Sequence, residues 1–286
     1  MSQEFSTALK THRLHLLLLL PLVTAAYATI VPGMVDQWSS DPNYSHGFLI
    51  PLISGYFLWQ NRDDLATAPV RPSNLGLVII CASLVLLVVG IAGTEYFSMR
   101  ASLVLLLAGI VLYWFGLPVL NVLALPIGFL IFMVPLPYIV YDAAAFPLKL
   151  LVAKFSVLSL KAMGVIVLRE GNIIMFPNTV LEVADACSGL RSLVSLIALS
   201  VALAFLSQKT VIKRTVLICM AVPIAIFTNM LRVIVTGFLA QYYGAAAAEG
   251  FFHEFAGMAV FALAMLLLVL TGAILRGSKT RKIRKP

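Results

Sequence analysis

One of the three cysteines in the sequence has a setting suited to nucleophilic chemistry. Cys187 lies in the polar segment ADACSGLRS, residues 184–192, directly before an apolar run. A thiol near the start of a helix is favoured as the reactive thiolate, because the helix N-terminus carries partial positive charge. Cys81 and Cys219 lie inside apolar runs, and we predict that they are small buried hydrophobes. An odd number of cysteines in unlike settings argues against a disulfide framework.

Two arginines within predicted membrane spans are candidates for a functional role, because ionisable residues are costly there. Arg191 follows Cys187 by four residues, one helical turn deeper on the same face. Arg232 lies near the outer end of a later span, with Asn229 on its face at the i−3 position. Packing by hydrogen bonds to neighbouring carbonyls is an equal alternative for Arg191, whereas a site role is favoured for Arg232.

His253 opens the last apolar run and provides a base at the expected depth of Cys187 and Arg232. A cysteine nucleophile needs a neighbouring base, and the tetrahedral oxyanion of acyl transfer needs a fixed donor. These three residues are therefore sufficient for thiol acyl transfer. Asp185 and Glu254 are alternative candidates to orient His253, although a solvated loop charge is at least as typical of each. His46 is the other outer histidine, and we expect an interface residue there.

Eight apolar runs must position these residues, since a span takes about 20 apolar residues per helix. The second run is short and contains Pro51, so a re-entrant segment is an alternative, and Gly116 to Pro118 alone separate the fourth run from the fifth. The sequence therefore predicts an all-α polytopic membrane bundle of about eight helices, running approximately Leu14 to Val35, His46 to Gln60, Leu75 to Gly93, Ala101 to Leu117, Val119 to Leu136, Ser188 to Leu206, Thr215 to Ala240 and His253 to Leu275.

The segment from Pro137 to Ala186 does not fit a simple crossing. It contains four basic residues within moderately apolar sequence, then a Gly171-Asn172 turn and β-prone residues. We predict a short interfacial helix near Phe146 to Val167, followed by a β-hairpin or loop on the outer side. A ninth span here would be inconsistent with the orientation predicted below.

The distribution of charge predicts the orientation. The chain has 286 residues, 61% hydrophobic and 11% charged, which excludes a soluble globular enzyme. The net charge is +8, and six of the 20 basic residues lie in the last eleven positions. Because cytoplasmic loops are enriched in Lys and Arg, both termini and the loops at 61–74 and 207–214 are predicted inside. We expect a single domain over 1–286 with a basic cytoplasmic tail at 276–286, attracted to anionic lipid and not to nucleic acid.

The sequence lacks a Walker loop, a dinucleotide glycine motif, a CxxC pair and an HExxH helix, so it predicts neither a cofactor nor a metal. The motifs it does contain are similar to a known family. ACSGLRS, the Asn229-Met230-Leu231-Arg232 segment and the single His253 resemble the exosortase and archaeosortase family of integral-membrane transpeptidases. The resemblance extends upstream to Ser45-His46-Gly47-Phe48 and Pro135-Leu136-Pro137, and so covers most of the chain.

This resemblance implies a Cys-Arg-His site formed by Cys187, Arg232 and His253. It implies a cysteine protease or transpeptidase of the bacterial cytoplasmic membrane that cleaves precursor proteins at its outer face through a thioester. The cleaved signal would be carboxy-terminal, a Pro-Glu-Pro-like motif followed by a hydrophobic helix and a basic cluster, in systems linked to exopolysaccharide. It also implies the branch without an extra carboxy-terminal domain.

Two other functions are alternatives. Eight spans with buried arginines are compatible with a transporter or export component for a glycan or anionic substrate, although no internal repeat is visible and the polar residues gather at one face and not at the midplane. An intramembrane protease that hydrolyses without transfer would use the same thioester, because water and an amine or hydroxyl acceptor attack the same carbonyl.

Overall fold

The computed structural model describes residues 3–177, 180–183, 190–243 and 251–277. Cys187 and Asp185 lie outside the described residues, as does most of the predicted tail. The chain folds into two compact units, Met1–Pro137 and Tyr138–Pro286. The first unit contains β1 Gln3–Glu4, α1 Phe5–Ala26, α2 Ile30–Ser40, α3 Leu49–Gln60, α4 Arg62–Thr67, β2 Pro69–Val70, α5 Leu75–Ala92, α6 Tyr96–Trp114 and α7 Leu117–Phe129, with 3-10 helices at Ser45–Phe48 and Leu130–Met133.

The second unit contains three strands and four long helices among the described residues. They are α8 Tyr138–Ala162, β3 Leu168–Glu170, β4 Ile173–Met175, β5 Val180–Glu182, α9 Leu190–Ser207, α10 Val211–Tyr243 and α11 Phe251–Gly277. The fold is all-α apart from this small sheet and the two-residue pair β1–β2.

The predicted polytopic bundle is confirmed. Within the described residues, five helices are long and apolar enough to cross a membrane: Leu75–Ala92, Tyr96–Trp114, Tyr138–Ala162, Val211–Leu239 and Phe255–Gly277. The first predicted run forms α1 and α2, which are bent by 59° and would count as a sixth span. The bend lies at Tyr27, which is buried and shares a 2.7 Å hydrogen bond with Ser102 on α6.

Two of the eight predicted runs form shorter helices than expected. The second run is α3, which has 12 residues and is about 18 Å long, well under the 30 Å hydrocarbon thickness. The fifth run corresponds to the shorter apolar helix Leu117–Met133. The sixth run corresponds to α9, Leu190–Ser207. The fourth and fifth runs are separate, as predicted, because Gly116 turns the chain between them with φ +85° and packs against the Arg71 carbonyl.

The helix predicted at Phe146 to Val167 differs from expectation. It is α8, which has 25 residues and meets the criterion for a membrane span by length and composition. The sequence shows no clear stripe among the lysines, but the folded helix has one. Its buried residues recur at helical spacing (Val152, Ala153, Ser156, Val157, Leu160), while Lys154 and Lys161 are exposed. The predicted β-prone loop is confirmed as the sheet β3-β4-β5.

The prediction that Cys81 and Cys219 are buried is wrong, because both are exposed on the surfaces of α5 and α10. An apolar run in a membrane span does not distinguish a protein-facing position from a lipid-facing one, since lipid tails are as apolar as the protein core. A small thiol is equally tolerated on either side.

Candidate active site

Helices α9, α10 and α11 carry or adjoin the predicted site residues, and they pack pairwise. Their contact surface consists of small and aliphatic side chains, which lets the helices approach closely. The buried members are Leu193, Leu196 and Ala204 from α9, Leu217, Ala221, Ile224 and Ala225 from α10, and Ala264 and Leu268 from α11. This core fixes the rotation of each helix about its axis, and so determines which residues meet.

One end of the three-helix group is defined by Gly272. A Cβ atom at Gly272 would lie 3.5 Å from the Cδ2 atoms of both Leu203 on α9 and Leu217 on α10. The carbonyl of Gly272 accepts a 2.8 Å hydrogen bond from Nε2 of Gln208, in the loop between α9 and α10. These contacts place Leu203, Leu217 and Gly272 at one level of the bundle.

The other end of the α10–α11 contact is defined by Arg232. A Cβ atom at Gly257 would lie 3.5 Å from Nη2 of Arg232 and 3.7 Å from its Cζ, so the guanidinium group lies over this glycine. Arg232 is 15 residues from Leu217, and Gly257 is 15 residues from Gly272. At 1.5 Å per residue both separations are about 22 Å, which makes the two contacts consistent with aligned helices.

The first turns of α9 and α11 lie near the level of Arg232. Leu190 is 13 residues before Leu203, or about 20 Å along α9, so this helix begins within a few Å of the Arg232 level. His253 is four residues before Gly257, one turn toward the start of α11. The described backbone therefore brings Arg232, the start of α9 and the start of α11 to the same end of the unit.

The face of α10 near Arg232 is more polar than its sequence suggests. Asn229 and Thr228 are each 2% exposed, and Thr228 Oγ1 donates a 2.9 Å hydrogen bond to the Ile224 carbonyl. Ser156 on α8 donates to the carbonyl of Met230 at 3.5 Å. Buried polar side chains in a membrane protein are costly unless bonded, so this group marks the part of α10 where polar chemistry is supported.

The sheet β3-β4-β5 packs against α10 next to Arg232. Val183, which follows β5, is fully buried in a cluster with Val233, the neighbour of Arg232. Phe176, which follows β4, packs on Gly237, where a Cβ atom would come within 2.7 Å of the phenyl ring. Val183 is held in place by a 2.9 Å hydrogen bond from its N–H to the Asn172 carbonyl.

The predicted site residues are described to different extents. Arg232 is half-buried and Asn229 is buried on the same helix. Arg191 and His253 lie in the first turns of α9 and α11, where the structure describes the backbone and not these side chains. Cys187 and Asp185 are in the segment 184–189, outside the described residues. Of the three catalytic candidates, Arg232 is therefore the one whose side-chain position is described.

His46 belongs to the first unit, in the 3-10 helix Ser45–Phe48. Burial lowers the pKa of the His46 imidazole, and hydrogen bonds with the backbone of Phe132 and Asn43 oppose this shift without cancelling it. The side chain therefore favours its neutral form. His46 lies in one 3-10 helix and Phe132 in another, Leu130–Met133, so the bond between them joins the two helices and gives His46 a structural role.

Two features were not predicted from the sequence, the burial of Arg100 and the packing of Arg232 on Gly257. Arg100 on α6 is 6% exposed and donates hydrogen bonds to the Gln37 side chain and, at 3.4 Å, to the Gly33 carbonyl. It lies just before the predicted fourth run, which begins at Ala101, whereas the helix begins at Tyr96 and is capped by Glu95. Gly257 was also missed, and its spacing of four residues after His253 was the available signal.

Comparison with known families identifies one match. A family model described as transmembrane exosortase matches residues 38–270, which is most of the chain and includes every candidate site residue. Neither a curated protein nor a solved structure matches the chain.

Proposed function

The chain belongs to the transmembrane exosortase family, and from that premise we propose that it is a membrane cysteine transpeptidase whose site is Cys187, Arg232 and His253. The family supports a multi-pass membrane protein with a sorting-related role, acting on membrane protein substrates that carry sorting signals. The contact between Arg232 and Gly257 is the observation that carries the proposal. It joins the predicted cation to the helix that begins with the predicted base.

Chain connectivity supports the proposed position of Cys187. Val183 precedes Cys187 by four residues and is buried beside Val233, the neighbour of Arg232. Leu190 follows Cys187 by three residues and begins α9 near the Arg232 level. Since an extended chain covers at most about 3.6 Å per residue, the Cys187 backbone is within about 11 Å of Leu190. Both distances are compatible with a thiol at the proposed site.

In the proposed reaction, His253 accepts the proton of the Cys187 thiol, and the sulfur attacks the scissile carbonyl carbon. The guanidinium of Arg232 stabilises the resulting oxyanion with its fixed N–H donors. The C–N bond then breaks, the leaving nitrogen takes the proton from His253, and a thioester remains on Cys187. Water or an acceptor amine or hydroxyl next attacks the thioester, and the C–S bond breaks to regenerate the thiol.

We propose that the substrates are exported precursor proteins ending in a short Pro-Glu-Pro-like motif, a hydrophobic helix and a basic cluster. Cleavage occurs at the outer face of the cytoplasmic membrane, in a system linked to exopolysaccharide. Lys213 and Arg214 lie at the end of the three-helix group opposite Arg232, in the loop region predicted to be cytoplasmic. This separation supports both termini inside and the site outside.

The remaining candidates are proposed as supporting residues. Asn229 is buried three residues before Arg232 and is suited to hold that side chain by packing and hydrogen bonding. Arg191, one turn after Cys187 in sequence, is proposed to favour the thiolate, and Asp185 to orient His253. His46 is proposed as a structural residue of the first unit.

The proposal is tested by co-expressing the chain with a secreted reporter that carries such a carboxy-terminal signal. Cys187→Ala should abolish processing of the reporter while the membrane level of the protein is unchanged. Cys219→Ala is the matched control, because Cys219 is exposed on α10 and outside the proposed site, and it should leave processing intact. Persistent processing by Cys187→Ala would contradict the cysteine mechanism and indicate another nucleophile.

A further inference from the structure

The three-stranded sheet in the second unit has an edge close in sequence to the proposed nucleophile. The strand order is β3-β4-β5, so β5 forms one edge of the sheet in the part of the chain that the structure describes. Val183 directly follows this strand and is fully buried, and Cys187 comes four residues later. The other edge is β3, which lies farther from Cys187 in sequence.

The hydrogen-bond phase of the sheet shows which backbone groups point outward from β5. Val183 donates to Asn172, and in an antiparallel pair the bonded residues alternate, so Leu181 is the next residue bonded to β4, opposite Ile174. The N–H and C=O groups of Val180 and Glu182 therefore point away from β4. The two-residue Gly171-Asn172 turn agrees with this phase, since it pairs Glu170 with Ile173 across β3 and β4.

The side chains of the two β5 residues with outward backbone groups are exposed. Val180 is 64% exposed and Glu182 is exposed, whereas Ile174 behind them in β4 is fully buried. An edge strand with outward N–H and C=O groups is a template for pairing with another extended chain. The strand is held firmly on its other side by β4 and by the packing of Val183, so pairing would not require the sheet to move.

We propose that the edge of β5 binds the polypeptide substrate in an extended conformation, as a fourth antiparallel or parallel strand bonded to the backbone of Val180 and Glu182. This inference rests on the proposed function and adds the surface that presents the scissile bond. Glu182 is five residues from Cys187, a distance of at most about 18 Å for extended chain. The edge is therefore close enough along the chain for a strand bound there to be presented to the thiol, and backbone pairing would accept varied side chains.

The test uses proline substitutions, which remove one N–H and block close approach of a partner strand. Val180→Pro and Glu182→Pro remove outward donors and leave the β4 ladder intact, and proline also keeps the preceding residue extended. Arg169→Pro is the matched control, because the same phase makes the N–H of Arg169 point outward from the opposite edge, β3. The assay is cleavage of the precursor by the purified full chain, with KM and kcat measured separately.

We expect Val180→Pro and Glu182→Pro each to raise KM by about two- to ten-fold with kcat nearly unchanged, the loss expected for one hydrogen bond. Arg169→Pro should leave both constants unchanged. Unaltered KM in both edge variants would overturn the inference, and so would an equal effect of Arg169→Pro, which would indicate general disturbance of the sheet. Cys187→Ala distinguishes failure of this inference from failure of the proposed function. If Cys187→Ala loses cleavage while the Val180 and Glu182 variants keep their KM, only the proposed binding of substrate to the β5 edge is contradicted.

Discussion

The guanidinium group of Arg232 lies over Gly257, and this contact joins α10 to α11 one turn below His253. The absence of a side chain at position 257 creates the space in which the planar group packs against the helix. A cation in this place is close to the start of both α9 and α11. The position of the proposed oxyanion donor depends on this contact.

We predict that Gly257→Leu lowers processing by about 100-fold, because a larger side chain displaces the guanidinium and catalysis is sensitive to shifts near 1 Å. Gly257→Ala should be tolerated, since the added Cβ makes an ordinary contact at 3.5 Å. Reporter processing normalised to membrane protein level is the measurement.

Gly272→Leu is the matched control for this prediction. It lies on the same helix, with the same 3.5 Å spacing to α10, but at the other end of the bundle. It should lower stability by about 1–3 kcal/mol through overpacking and leave the processing rate per folded molecule unchanged. Equal rate losses for both leucine variants would show that Gly257 has only a packing role.

Arg232 should be required for its geometry as well as its charge. We predict that Arg232→Ala lowers the cleavage rate by about 100- to 1,000-fold, the usual cost of one oxyanion donor. Arg232→Lys should remain impaired, because an ammonium cannot reproduce the planar fork of donors. Arg214→Lys is the control at the other end of α10, where Arg214 stacks on Phe205 and bonds the Gln208 carbonyl. Full activity of Arg232→Lys would show that only positive charge is needed.

The orientation of α8 can be tested by labelling one residue in its first turn and one residue in β3, which follows it. The proposed topology keeps this helix at the outer interface, although its length and composition would allow it to cross. Single cysteines are introduced at Ile139 and Glu170, both exposed, in a chain whose three native cysteines are replaced. Both should therefore react with a membrane-impermeant thiol reagent in intact cells. A cysteine at Lys209 should react only after the membrane is opened. Reaction at only one end of α8 would mean that it spans, and would reverse the predicted orientation of the first unit.

His46 should make the stability of the protein depend on pH. Its folded-state pKa is lowered by burial below the ordinary 6.5, so the unfolded chain binds a proton first as pH falls. Stability should therefore be full above about pH 6.5 and decline as pH falls toward the lower folded pKa. We predict that His46→Asn reduces this decline in thermal unfolding between pH 7.5 and 5. An identical pH dependence in His46→Asn would contradict the assignment.

The apolar runs, the turn at Gly171 and the β-prone segment were predictable from the sequence, because hydropathy and turn residues are local signals. The bend at Tyr27 was not, since it depends on a hydrogen bond to Ser102, 75 residues away. The exposure of Cys81 and Cys219 was also not predictable from the sequence, because lipid and the protein core are equally apolar and the same residue types face both. Length was overestimated for α3, where an apolar run includes a 3-10 helix that is not part of the span.

Some features of the site are likewise predictable from nearby residues in the sequence, whereas others depend on contacts between distant parts of the chain. Residue type and the three-residue spacing identified Arg232 and Asn229 as candidates, and His253 was identified by its place at the start of the last apolar run. The packing of Arg232 on Gly257 required the helix register, which is set by the contacts of Leu203 and Leu217 with Gly272 about 22 Å away. The burial of Arg100 depends similarly on Gln37 and Gly33 in α2.

The most direct test of the central claim is to intercept the acyl group on Cys187 with hydroxylamine. The purified protein and its precursor are incubated with this strong nucleophile, and the new carboxy-terminus of the cleaved product is analysed by mass spectrometry. A thioester on Cys187 predicts a product ending in a hydroxamate, formed by the wild-type chain and by Cys219→Ala but not by Cys187→Ala. A cleaved product of Cys187→Ala, or a product ending only in a carboxylate at undiminished rate, would contradict the account.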